Sequence, residues 1–200
     1  MRIKEDEVIN KKRKEILNVT KEIIIDEGIS GVSMRKIAKH LNQVPGNLYH
    51  YIKKKEEILY SLVKNEYEKI VKVVSNKVEG TYKEQLVIIM KQYINLMIDN
   101  YTLFDVMNHI NNAEIQQQLY ILTPGISQNR KSIQSLYQLL SRGCKNGNFN
   151  ITNLELRAQL IISGAQGVVQ RIAIEQPNNK EEIINEYISI ILQSIEGEKQ

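Results

Sequence analysis

The chain has 200 residues, 42% of them apolar and 25% charged, with a net charge of +4. Such a supply of apolar side chains builds a sizeable core and excludes disorder as the main state, while no apolar run approaches the roughly 20 residues that a membrane span needs. The opening MRIKEDEVINKKRK lacks the apolar stretch of a secretion leader, so the chain reads as soluble and cytoplasmic, with no membrane partner. One cysteine, Cys144, and three widely separated histidines, His40, His50 and His109, exclude a disulfide scaffold and a local zinc site, and no metal or cofactor is expected.

Apolar residues recur at spacings of three and four along nearly the whole length, without the alternation of strands, so the fold class is all-α. Ile9, Ile16, Leu17, Thr20, Ile23 and Ile24 form the stripe of a first helix, which Gly28 can end in a left-handed conformation. Ser33 offers a hydroxyl cap to a short helix running to about Leu41, and Pro45 suits the first turn of another ending near Tyr51. A long helix over about Lys55–Val78 follows, with Ile58, Leu59, Leu62, Ile70 and Val74 inward.

The remainder reads as larger helices. Leu86, Ile89, Met90, Tyr93, Leu96 and Met97 form one stripe, a broken helical region covers about 102–122, and Thr123-Pro124 starts a helix that reaches Lys145 and is closed by Gly147. Thr152 and Glu155 have the spacing of a capping box that starts a helix to about Glu175, and Pro177-Asn178-Asn179 introduces a last one over about Lys180–Ile195. Two domains are expected: 1–54, and 55–200 as a larger helical domain.

Charge is distributed unevenly. Residues 1–60 hold thirteen Lys+Arg and nine Asp+Glu, whereas 61–200 hold fourteen of each, so the whole excess is N-terminal. Between Gly31 and Lys55, six cations (Arg35, Lys36, Lys39, Lys53, Lys54, Lys55) meet no acidic residue. A solvated surface is the ordinary explanation of a charge block, and a polyanionic partner is the alternative. Local architecture favours the second: Ile37, Leu41, Leu48 and Ile52 make inner faces for two short helices, Ala38 permits their close crossing, and Pro45, Gly46, Asn47, Tyr49 and His50 point outward. Amide and imidazole groups bond base edges while lysines bind phosphates, as major-groove reading requires.

These residues resemble a known family. Arg13-x-x-Ile16-Leu17, Glu27-Gly28, the run Val32–Ala38 and the run Gly46–Leu59 (GNLYHYIKKKEEIL) are similar to the DNA-binding domain of TetR-family transcriptional regulators. The resemblance covers roughly residues 10–60 and implies an N-terminal helix-turn-helix followed by a helical domain for effector binding and dimerisation. It implies phosphate contacts for Ser33, Tyr49, His50 and Lys55, and base-facing positions for Arg35, Pro45, Gly46, Asn47, Tyr49 and His50. One departure stands out: Asn42-Gln43-Val44 replaces the usual glycine, apolar residue and hydroxyl residue. Asn42 can adopt the left-handed turn, Val44 cannot cap the helix, and Gln43 becomes an additional contact candidate.

For the larger domain the resemblance implies an effector pocket and a dimer surface. Met90, Tyr93, Met97, Phe104, Tyr120 and Tyr137, with Tyr101, Met107 and His109 nearby in sequence, combine thioethers and aromatics suited to an apolar or aromatic small molecule, although helical spacing of such residues equally describes plain core. Leu160, Ile161, Gly164 and Val168, with Ile184, Ile188 and Ile191, lie on two apolar faces expected to pack in a four-helix bundle with a second copy. No phosphate-binding glycine loop and no nucleophile with a histidine and acid is recognisable, so an enzyme is not expected. The sequence therefore reads as a homodimeric, sequence-specific DNA-binding repressor released from its operator by a small-molecule effector. An activator or a ligand-independent regulator of the same family, or a helical interaction protein without DNA, are the alternatives.

Overall fold

Helix stops in this chain are written in its backbone signs. Gly28, Asn42, Gly147 and Gln176 all have positive φ, from 46° to 71°, and each follows a helix. The computed structural model describes residues 2–103 and 131–196. Its helices are α1 (Arg2–Glu27), α2 (Met34–His40), α3 (Pro45–Leu48), α4 (Lys55–Val74), α5 (Tyr82–Asp99), α6 (Lys131–Lys145), α7 (Leu154–Glu175) and α8 (Lys180–Ile195), with a 3-10 turn at Ile29–Gly31. Among the described residues no regular element is a strand.

Packing divides the described residues into two units, 2–67 with 102–103, and 68–101 with 131–196. In the first unit Ile16, Ile23 and Ile24 of α1, Ile37 and Ala38 of α2, Leu48 of α3 and Ile58 and Leu59 of α4 close one core. Thr20 is buried there because its hydroxyl donates to the Ile16 carbonyl at 2.8 Å, satisfying both groups without water. In the second unit α5 packs on α7, α8 and α6, and α7 also contacts α6 and α8. Its core holds Met90, Tyr93 and Met97 beside Leu136, Leu140, Ile161, Ile188 and Ile191.

Several boundaries differ from the sequence reading. The long helix stops at Val74, four residues before Val78, and α3 is a single helical turn, with Tyr49–Tyr51 in the turn that follows. The expected capping box at Thr152 and Glu155 is replaced by Asn153, whose side chain accepts from the Leu156 N–H at 3.0 Å, one residue later. A full capping box occurs instead at the start of α5: the Thr81 hydroxyl accepts from Glu84 N–H while the Glu84 carboxylate accepts from Thr81 N–H at 2.8 Å. The Thr81 N–H foremost, and then the Thr81 hydroxyl donating to the same carboxylate at 3.0 Å, hold the Glu84 carboxyl below its ordinary value. The broken helical region and the Thr123-Pro124 start lie outside the described residues.

Candidate nucleic-acid interface and effector unit

Two short helices can present a reading face only if the turn between them is rigid. After α2 the Gln43 N–H donates to the Ala38 carbonyl at 2.9 Å and the Asn42 N–H to the Lys39 carbonyl at 3.1 Å, with Asn42 at φ 52°. This is a Schellman closure in which asparagine takes the place of glycine. Val44 precedes α3 without any side-chain cap, and its apolar side chain is exposed. Pro45 at the first helical position needs no cap of its own, because it has no N–H to satisfy.

Ser33 caps α2, its hydroxyl accepting from Lys36 N–H at 3.2 Å. Arg35, Lys39, His40, Gly46, Asn47, Tyr49, His50 and Lys53 are exposed around it, Gln43 and Pro45 are half-buried, and Leu48 and Ile52 are buried beneath. No atom lies within 4 Å of where a Gly46 Cβ would stand, so the backbone there is open to close approach. The cation block is partly compensated: Lys36 pairs with Glu27 of α1, an acid outside the block that only the fold brings near. Half-buried Lys55 donates to the Val32 carbonyl at 3.4 Å, and the Arg13 guanidinium donates to the Tyr51 carbonyl at 2.9 Å. Both bonds fasten α1 and α4 to the two ends of the reading helices; Lys55 keeps two further N–H donors.

In the second unit the expected pocket residues part company. Met90, Tyr93 and Met97 are core residues, Tyr137 is 40% exposed, and Phe104 and Tyr120 lie outside the described residues. Tyr137 lines an open cavity of about 680 Å³ with Ile133, Gln134, Thr152 and Glu155. A second cavity, of about 390 Å³, is lined by Val74 and Ile89 together with residues the sequence reading did not single out, among them Ser75, Lys77, Ser135 and Arg142.

The expected dimer surface needs redrawing. Ile161, Ile184, Ile188 and Ile191 are spent on the core of their own chain. Gly164 faces Tyr187 of α8: a Cβ there would stand 2.8 Å from the Tyr187 hydroxyl, which donates to the Ile161 carbonyl. Burial pushes the Tyr187 phenol up from its ordinary value. Left outward are Leu156, Leu160 and Ile174 of α7 and Ile190 of α8, each about half exposed or more, with Ser163 and Gly167 exposed between them and Val168 half-buried alongside. Positions 156, 160, 163, 167, 170 and 174 repeat at four-three spacing, the period of a helix seam, with Ser163, Gly167 and Gln170 as its members without a large apolar side chain.

A turn-linked helix pair with an exposed basic face, on an all-helical chain, defines a helix-turn-helix DNA-binding regulator. Residues 16–62 match the bacterial regulatory proteins of the tetR family, and residues 51–197 match the QacR-like protein C-terminal region. The chain belongs to the tetR family, whose members are regulators rather than enzymes. Among individual relatives, the fatty acid metabolism regulator protein of Bacillus subtilis (strain 168) is 27% identical over 116 residues, 56% of this chain and 60% of that protein. The match thus spans less than two thirds of the relative's length.

Solved structures agree on the fold. The transcriptional regulator FadR from Bacillus subtilis in complex with stearoyl-CoA superposes with a TM-score of 0.74 at 22% identity, over 91% of this chain and 98% of that one. The fatty acid degradation regulator FadR from Bacillus halodurans gives 0.72 at 20% identity, over 90% and 94%. A tetR-family protein from Rhodococcus RHA1 gives 0.72 at 17%, over 92% and 96%. Among the described residues no helix is long and apolar enough to cross a membrane.

Proposed function

We propose that the protein is a homodimeric repressor that reads a two-fold operator with α2 and α3 and is released by an apolar small molecule, a long-chain acyl compound being the first candidate. The observation that carries the DNA reading is the exposed face of Arg35, Lys39, Asn47, Tyr49, His50 and Lys53 on a turn closed by backbone hydrogen bonds. Lysines there meet phosphates, and Arg35 and Asn47 carry the groups that pair with guanine and adenine edges. The functional division proposed is 1–54 for DNA and 55–200 for effector and partner, with the first part of α4, to residue 67, packed in the DNA-reading unit. The exposed four-three seam of α7 with Ile190 of α8 supports pairing of two copies, since apolar side chains spaced that way lose water only against another helix.

The acyl candidate rests on the fatty-acid regulator named above and on the stearoyl-CoA complex of its structural relative. Release is a population shift: a ligand that binds better to a dimer with misplaced reading helices weakens DNA binding by the ratio of its two affinities. Selection of duplexes from a random pool identifies the operator, and fluorescence anisotropy then measures affinity with and without stearoyl-CoA. The expected result is a partly palindromic site whose affinity falls about fivefold or more with ligand. No selected sequence would overturn the DNA reading, and an affinity indifferent to stearoyl-CoA and to stearate would overturn the acyl reading.

A further inference from the structure

We infer that the cavity beside the C-terminal end of α4 binds an oxyanion, the carboxylate or phosphate of the effector; this deepens the acyl reading above and rests on it. The cavity, about 390 Å³, is walled by Ser75 and Lys77 of the loop after α4, Gln85 and Ile89 of α5, and Ser135 and Arg142 of α6. Among the described residues no carboxylate lines it. Neither Lys77 nor Arg142 has an ion-pair partner among the described residues. Two uncompensated cations in one concavity focus a positive potential that the same cations on a convex surface lose to water.

Chemistry beyond charge points the same way. The Ser75 and Ser135 hydroxyls lie 2.8 Å apart on the cavity wall and share a hydrogen bond. The floor is apolar: Ile89 and Leu139 are buried and belong to the core that also holds Met90 and Tyr93. A charged rim over an apolar floor suits an amphiphile whose head is anionic. The larger cavity at Tyr137 differs in kind, with Glu155 in its wall and no cation among its described lining residues.

The test is calorimetric titration of the whole protein with stearoyl-CoA, stearate, CoA without a tail, and inorganic pyrophosphate. It compares the natural chain with Lys77→Gln/Arg142→Gln, Lys77→Gln alone and Arg142→Lys, each checked by its thermal unfolding midpoint. Loss of two charge-assisted contacts should weaken every probe that the natural protein binds by about tenfold or more, remove the salt dependence, and leave Arg142→Lys near the natural affinity. Lys77→Gln alone, in an exposed loop, gives an intermediate loss and carries the test if the double variant does not fold. Stearate without CoA binding assigns the oxyanion to the carboxylate; CoA or pyrophosphate binding assigns it to phosphate. Natural affinity for stearoyl-CoA in both Gln variants overturns the site and leaves the acyl reading standing. Binding of CoA or pyrophosphate alone, lost in the variants, keeps the site and removes the acyl reading. Failure of the natural protein to bind any of the four overturns both.

Discussion

The two units of this molecule handle apolar surface differently. In the first, exposed large apolar side chains such as Val8 and Ile25, at opposite ends of α1, and Val44 before α3 stand singly, and the rest of the outer surface around α2 and α3 is polar and basic. In the second, Leu156, Leu160 and Ile174 recur along one side of one helix. Scattered apolar residues are ordinary on a protein surface, whereas a periodic row marks a contact. The first unit keeps its apolar side chains in its own core and presents a polar, basic surface around α2 and α3; the second leaves a row of apolar side chains outside its core.

Breaking the seam has the largest expected effect. Leu160→Glu combined with Ile190→Glu places charge on two side chains already exposed in one copy, so the chain should fold yet sediment as a monomer and lose about a hundredfold or more in operator affinity. Ile188→Ala sharpens the contrast: that side chain is buried in its own chain, and the loss should be about 2–5 kcal/mol of stability in chemical denaturation. A Leu160→Glu/Ile190→Glu protein that remains a dimer would move the interface elsewhere.

The next effects are smaller. Gly164→Ala should cost about 1–3 kcal/mol through collision with Tyr187, and the cost should shrink in a Tyr187→Ala background, since the three atoms nearest the added methyl all belong to Tyr187. Arg35→Ala should relax base preference at one symmetric pair of operator positions by about 1–3 kcal/mol, read by repeating the duplex selection, with non-specific affinity largely retained. Lys55→Ala should lower the salt slope of DNA binding by roughly 1 if its remaining donors reach phosphate; an unchanged slope assigns Lys55 wholly to the Val32 carbonyl.

Two pH effects close the series. Folded Tyr187 keeps its proton above the ordinary phenol value of 10.0, so its contribution is whole below that pH and declines as pH rises past it. Tyr187→Phe should therefore flatten the alkaline side of the stability curve. Glu84 has the opposite sign: its depressed carboxyl contributes above the ordinary 4.5 and the contribution is lost as pH falls through the folded value, so Glu84→Gln should flatten the acid side slightly.

Spacing alone carried the helical class and the inner positions Ile37, Leu48 and Ile52, with Leu41 only partly buried, because local periodicity decides which side of a helix is apolar; Ala38, read from its small size, is buried as well. The left-handed Asn42 and uncapped Val44 were equally legible, since a residue's tolerance of positive φ and its capacity to cap are properties of its own side chain. Which of two adjacent candidates caps α7, Thr152 or Asn153, was not, because the choice depends on backbone direction rather than residue type. The pairing of Lys36 with Glu27, the fastening of Arg13 to Tyr51, and the split of α7 and α8 into an inner face and an outer seam belonged to the tertiary structure alone. Both faces of those helices are rich in apolar residues, so the sequence showed that they are sticky on two sides, and only the packing of α5, α7 and α8 decided which side was already taken.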